Sequence, residues 1–135
     1  MTDNKKRQLS DQQWRDQLTA EEYRVCRLKG TERPFTGELL NVEANGEYSC
    51  KCCGTLLFKS EHKFDAGCGW PSFYEEAASG NIEYIEDHSL GMRRVEIVCS
   101  HCESHLGHVF LDGPEPTGKR YCVNSVSIDF KDQSS

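Results

Sequence analysis

Polar and charged side chains fill positions 1 to 9 apart from Met1 and Leu9. No apolar face runs through them, so residues 1–9 are expected to form a flexible N-terminus, with a single domain over 10–135. Ser10-x-x-Gln13 and Thr19-x-x-Glu22 then read as capping boxes. The second predicts a short helix whose apolar members Tyr23, Val25, Cys26 and Leu28 lead to a stop at Gly30. Beyond Pro34 the helical period fades. Asn45-Gly46 ahead of Tyr48 reads as a type I′ hairpin turn, and β-like runs follow over 55–59, 82–85, 92–99 and 120–130. Gly113, Pro114, Pro116 and Gly118 mark a loop before the last run. The expected fold class is mainly β: antiparallel β-sheets with a short helical N-terminal segment.

A chain of 135 residues suits one hydrophobic core. Its net charge of -6 argues against nucleic acid as a partner, which needs clustered Lys and Arg to displace phosphate counterions. No apolar run reaches the roughly 20 residues that span a bilayer, and the polar start lacks the apolar stretch of a secretory signal. No membrane partner is expected, and a cytoplasmic location follows. In a reducing compartment, eight cysteines are better read as metal ligands or redox catalysts than as structural disulfides.

Four of those cysteines form matched C-x-x-C pairs, Cys50 with Cys53 and Cys99 with Cys102. Such pairs bring two thiolates to one tetrahedral ion from a single turn, and four thiolates leave no open position for substrate or water. One structural Zn2+ per chain is therefore expected. The 45 residues between Cys53 and Cys99 exceed the 15 to 20 or so of a compact zinc ribbon, so the ion would join distant segments. Cys52 competes with Cys50, but only Cys50 gives a spacer matching the second pair; His101, inside that second pair, is expected to face solvent. Cys26 and Cys52 carry no role.

Residues i and i+2 of a strand share a face, which sets Arg120, Cys122 and Asn124 side by side. A guanidinium beside a thiol favours the thiolate a cysteine nucleophile needs. From spacing alone, the reading that leads is a core cysteine in a strand that continues through Val126, Ile128 and Phe130, since strand cysteines are usually inert. His105 and His108 follow the second pair and read as an acid or proton relay, or as hydrogen-bonded structural histidines. Cys68 and Trp70 stand on the turn Gly67-Cys68-Gly69-Trp70-Pro71, where the glycines leave the thiol free to approach another sulfur and Trp70 serves packing or walls a pocket.

Taken together, several segments in order resemble the methionine-R-sulfoxide reductase (MsrB) family: Pro34-Phe35-Thr36-Gly37, Tyr48 to Gly54, Gly67 to Phe73, His105 to Phe110, Asp112-Gly113 and Arg120 to Ser125. The resemblance spans residues 31 to 130. It implies a β-rich fold and an enzyme that returns the R epimer of methionine sulfoxide, in oxidised proteins or peptides, to methionine. On the matching positions it makes Cys122 the nucleophile, Cys68 the resolving cysteine and Trp70 the wall for the substrate methyl group. It gives His105, His108 and Asn124 the orientation and protonation of the sulfoxide oxygen, with Arg120 supporting the nucleophile. A sulfenic acid on Cys122 would condense with Cys68, and thioredoxin would reduce the disulfide. The chain departs from many relatives at Ala66 and Leu90, to which no role is attached. Two rival classes share parts of the pattern. One is a zinc-dependent protein-binding module; the other is a zinc hydrolase using His105 or His108, which is disfavoured because the cysteines already fill the coordination sphere.

Overall fold

Thr19 accepts the Glu22 amide hydrogen at 3.1 Å, and the Glu22 carboxylate accepts the Thr19 amide hydrogen at 2.9 Å. This capping box opens α2 (Ala20–Cys26), which buries Tyr23, Val25 and Cys26. Before it stands α1 (Asp11–Gln17), whose Trp14 is buried beneath the Arg27 guanidinium, 4.3 Å from the ring centre. The helix ends at Cys26, four residues before the expected stop at Gly30: Arg27 caps it, Lys29 takes the left-handed conformation (φ 63), and the Gly30 amide donates to the Arg24 carbonyl. Leu28 falls past the helix and is exposed.

The computed structural model describes residues 11–33, 35, 37, 39, 40, 42, 45–78, 80–88, 91 and 94–132. Outside them lie the expected flexible start, Ser10 of the first capping box, Pro34 and Thr36 of the first motif, Leu90, and the first two residues of the run expected from Met92. No helix among the described residues is long and apolar enough to cross a membrane.

Among the described residues nine strands follow the helices: β1 (Gly46–Cys50), β2 (Leu56–Lys59), β3 (Lys63–Phe64), β4 (Ser72–Phe73), β5 (Ile82–Asp87), β6 (Arg94–Cys99), β7 (His105–Phe110), β8 (Arg120–Val123) and β9 (Ile128–Asp132). They form a three-stranded sheet in the order β2-β1-β9 and a six-stranded sheet in the order β3-β4-β8-β7-β6-β5. Every pairing is antiparallel. Aromatic rings join the sheets. Phe58 of β2 stacks on Phe73 of β4 at 4.4 Å, and Tyr48 of β1 meets Phe73 edge-on at 5.0 Å.

Three local expectations change. Gly46 is a strand residue paired with Asp132, not the corner of a hairpin, and a Cβ there would lie 2.2 Å from the Lys131 carbonyl oxygen; this glycine permits close approach of β9. The single run expected over 120–130 is two strands in different sheets, separated by a 3₁₀ turn at Ser125–Ser127. The segment His105–Phe110, for which no strand is expected, is β7, at the centre of the six-stranded sheet.

Candidate active site

Alternation along β8 sends Tyr121 into the aromatic core, where it meets Phe58 edge-on, and Cys122 to the opposite face. On that face Cys122 pairs in register with Ser72 of β4 on one side and His108 of β7 on the other. Directly opposed residues of an antiparallel pair have their Cβ atoms about 5 Å apart, so the ladder itself brings hydroxyl, thiol and imidazole together. Arg120, two residues earlier, donates from Nη1 to Cys122 Sγ at 2.8 Å. Its fork is fixed by Asp112, with Nε to Oδ1 at 2.8 Å and Nη2 to Oδ2 at 3.1 Å, and it lies 4.4 Å over the Phe110 ring.

The turn after β3 brings Cys68 Sγ to 3.3 Å from Cys122 Sγ and 3.3 Å from Ser72 Oγ. Both thiols are free. Burial opposes ionisation of Cys68, yet the Ser72 hydroxyl, the Trp70 backbone, Cys122 and Arg120 together hold its pKa below the usual thiol value. Cys122 goes the other way, pushed up to about 12 by burial and then by Cys68, against the opposing pull of Arg120 and Ser72. The guanidinium therefore acts in the expected direction on Cys122 but is outweighed while the two sulfurs touch.

A cavity of about 130 Å³ opens beside Cys122, walled by Trp70 and Phe110 and bordered by His108, Arg120, Asn124, Thr31, Arg94 and Gly107. Small-molecule sites run from roughly 300 Å³ upward, so this space suits the end of one side chain. Trp70 donates from Nε1 to the Glu32 carbonyl at 3.0 Å. Asn124 lies past the end of β8 and is held at both ends of its carboxamide: Oδ1 accepts from the Glu32 amide at 2.9 Å, and Nδ2 donates to the Leu106 carbonyl at 3.1 Å. The two histidines separate. His108 borders the cavity, with Nε2 2.7 Å from Asp87 Oδ2; burial lowers its pKa against the pull of Asp87. His105 is buried and does not border the cavity; its Nδ1 lies 2.7 Å from Glu96 Oε2.

Cys50 closes β1 and Cys99 closes β6, with Cys53 and Cys102 on the turns that follow. The Gly54 amide donates to the Cys50 carbonyl and the Glu103 amide to the Cys99 carbonyl, so both turns close alike. The four sulfurs lie within 4.8 Å of one another, with Cys50–Cys102 and Cys53–Cys99 each at 3.5 Å. A tetrahedral ion with metal–sulfur bonds of about 2.3 Å sets its sulfurs about 3.8 Å apart, so the donor set fits a metal ion. Hydrogen bonding from Cys102 holds Cys99 down at about 7, whereas Cys50 is pushed up, again chiefly by Cys102. Sulfurs this close do not all ionise without a cation among them. Cys52 stays outside the four, buried and hydrogen-bonded with Cys26, and neither borders the cavity. His101 is half-buried instead of facing solvent.

A protein-family model described as the SelR domain matches residues 18–132. Proteins named peptide methionine sulfoxide reductase MsrB match along most of their length. That of Alteromonas mediterranea is 59% identical over 127 residues, 94% of this chain and 89% of the relative. The chain belongs to the MsrB family. Another member, from Hahella chejuensis, is 60% identical over 121 residues (90% of this chain, 87% of the relative), and one from Methanosarcina barkeri is 56% identical over 122 (90% and 86%). A solved structure of the Mis18 "Yippee-like" domain aligns with a TM-score of 0.52 at 12% identity, covering 67% of this chain and 99% of that one, which is a likeness of fold alone.

The structure brings together every residue expected at the site of this MsrB family member except His105, which stands behind His108 with the rings 5.8 Å apart. It adds Ser72, Asp112, Asp87, Glu96 and Glu32, none of which the sequence singled out for a role. Glu96 carried the clearest signal, a charge inside the apolar run Val95-Glu96-Ile97-Val98. That signal is ambiguous, because strand alternation predicts the same charge on a solvent face.

Proposed function

We propose that the protein is a thiol-dependent reductase that returns the R epimer of methionine sulfoxide, in oxidised proteins or peptides, to methionine. The observation that carries this reading is a pair of free thiols 3.3 Å apart, one of which borders a cavity sized for a single side-chain end. Family membership supports the reaction class.

In this mechanism the substrate methyl group rests against Trp70 and its sulfur meets Cys122. The Cys122 thiolate attacks the sulfoxide sulfur, and the oxygen takes a proton from His108, the imidazole at the cavity. Asn124 turns its remaining N–H toward the same oxygen. Two electrons pass from the cysteine to the substrate sulfur; the sulfur–oxygen bond breaks as the protonated oxygen passes to the Cys122 sulfur, methionine leaves, and Cys122 is left as a sulfenic acid. Arg120 stabilises the thiolate before attack. Cys68, whose pKa is held down, then attacks the Cys122 sulfur and the hydroxyl leaves as water, closing a Cys68–Cys122 disulfide. Thioredoxin, a dithiol carrier of the reducing cytoplasm, takes up the disulfide by exchange. Zn2+ is the ion assigned to Cys50, Cys53, Cys99 and Cys102; four thiolates close its coordination, so it supplies structure and no reaction step.

The test is one turnover without reductant on separated sulfoxide epimers. Expected is one methionine per chain from the R epimer, none from the S epimer, and a mass-spectrometric link between Cys68 and Cys122. Product from the S epimer at an equal rate, or product with no such link, overturns the reading.

A further inference from the structure

We propose that Asp87 and Glu96 are positioning residues that hold the two histidines in opposite tautomers, so that His108 offers Nδ1 to the reaction while His105 is locked as its support. This inference rests on the reductase reading for its kinetic consequence, though not for the tautomers themselves. A carboxylate only accepts hydrogen bonds, so the ring nitrogen facing it must carry the hydrogen. Asp87 Oδ2 faces Nε2 of His108 and Glu96 Oε2 faces Nδ1 of His105, each at 2.7 Å. Neutral His108 is therefore the Nε2–H form with a bare Nδ1, and neutral His105 is the Nδ1–H form with a bare Nε2.

The sheet explains why two carboxylates reach these rings. Glu96 pairs in register with His108 across β6 and β7, and Asp87 pairs with Arg94 across β5 and β6. The β6–β7 register shifts between Ile97 and Val98, and beyond the shift it is His105 that meets the Glu96 carboxylate. Each carboxylate is also held by a cation. Lys29 donates to the second oxygen of Glu96 at 2.9 Å, and Arg94 reaches Asp87 Oδ2 at 3.4 Å. Two chains of cation, carboxylate and imidazole thus run side by side, Lys29–Glu96–His105 and Arg94–Asp87–His108. Lys29 adopts a left-handed backbone at its place in the first, a conformation unfavourable for a non-glycine residue.

Proton transfer by His108 then depends on Asp87. The charged and titratable groups around the ring are Asp87 on β5, Arg94 and Glu96 on β6, His105 on its own strand, and Arg120 and Cys122 on β8. Burial, Arg94 and His105 disfavour imidazolium, and Asp87 favours it. A His108 that takes a second proton on Nδ1 is consequently a strong acid on a ring that borders the cavity, and Asp87 sets how much of it exists near neutral pH.

Long-range 15N–1H spectra of the histidine rings test the tautomers directly, with no substrate needed. Expected in the wild type is the Nε2–H pattern for His108 and the Nδ1–H pattern for His105. Asp87→Asn should change the His108 signals alone, slow the first turnover on methionine sulfoxide by roughly 10- to 100-fold, and move the alkaline fall of that rate to lower pH. Glu96→Gln should change the His105 signals. The same tautomer on both rings, or an Asp87→Asn protein with the wild-type pH profile, overturns the proposal. Should Asp87→Asn fail to fold, the wild-type spectrum still decides. Absence of any wild-type turnover would instead sink the reductase reading, and the spectra would stand apart from it.

Discussion

As the proposed nucleophile, Cys122 combines two demands that conflict, burial for a dry reaction and ionisation for nucleophilicity. With its pKa near 12 it keeps its proton while Cys68 lies 3.3 Å away, and Cys68 is the better thiolate of the pair. Of the influences that raise Cys122, burial is fixed by the fold, whereas those from Cys68 belong to a turn. Cys68→Ser removes them and leaves Arg120, so the Cys122 pKa should fall from about 12. The check is the pH dependence of alkylation of that thiol in the variant; a midpoint unchanged or higher would mean that burial alone sets it. The same variant should keep its first turnover and lose thioredoxin recycling. Cys26 and Cys52 do not replace Cys68, because both are buried away from the cavity. At this scale the sequence was readable where the chemistry is local: Arg120 and Cys122 are two apart on one strand, and Cys68 and Trp70 share one turn. It was silent on partners supplied by other segments. Nothing near Arg120 in the text announces that Asp112 fixes its fork, or near His108 that Asp87 sits on its ring.

The strand pair β7–β8 is the element that makes these residues a site, since it sets His108 opposite Cys122. Gly107 allows the pair to close. A Cβ there would lie 1.9 Å from the Cys122 carbonyl oxygen, and backbone cannot rotate aside as a side chain does. Gly107→Ala should therefore cost about 1–3 kcal/mol through overpacking. It should also slow the first turnover out of proportion, because any displacement of β7 carries His108 with it. Thermal unfolding together with single-turnover rates at a temperature where the variant is folded would show both effects; a destabilised variant with the wild-type rate would separate this strand contact from the chemistry. The capping box of α2 was legible because its two hydrogen bonds lie within four residues. The division of 120–130 was not. Neither Gly nor Pro punctuates Asn124 to Ser127, and the turn forms because the Ser127 amide finds the Asn124 carbonyl while the chain changes sheets. β7 escaped notice because Gly107 and two histidines break its apolar alternation, and its strand state is dictated by neighbours on both sides.

Across the whole molecule two devices hold the sheets together, the aromatic stack of Tyr48, Phe58, Phe73 and Tyr121 inside and the four cysteines at one end. Cys50 ends a strand of the three-stranded sheet and Cys53 lies on the turn after it, while Cys99 ends a strand of the six-stranded sheet and Cys102 lies on the turn after that. An ion bound here is thus a link between sheets as well as a staple across the sequence. Structural zinc contributes on the order of 10 kcal/mol in small peptides, comparable with the roughly 5–15 kcal/mol that stabilises a whole domain. Losing it should leave little net stability. Cys99→Ser is expected to purify without stoichiometric metal and to unfold at a much lower temperature, measured by elemental analysis and circular dichroism. Activity should follow the folded fraction. His105 and His108 are held by carboxylates and lie outside the sulfur cluster, and none of the four cysteines borders the cavity. A metal-free variant that is fully folded yet inactive would place the ion in the chemistry, and one that is folded and active would remove it from the stability of the fold.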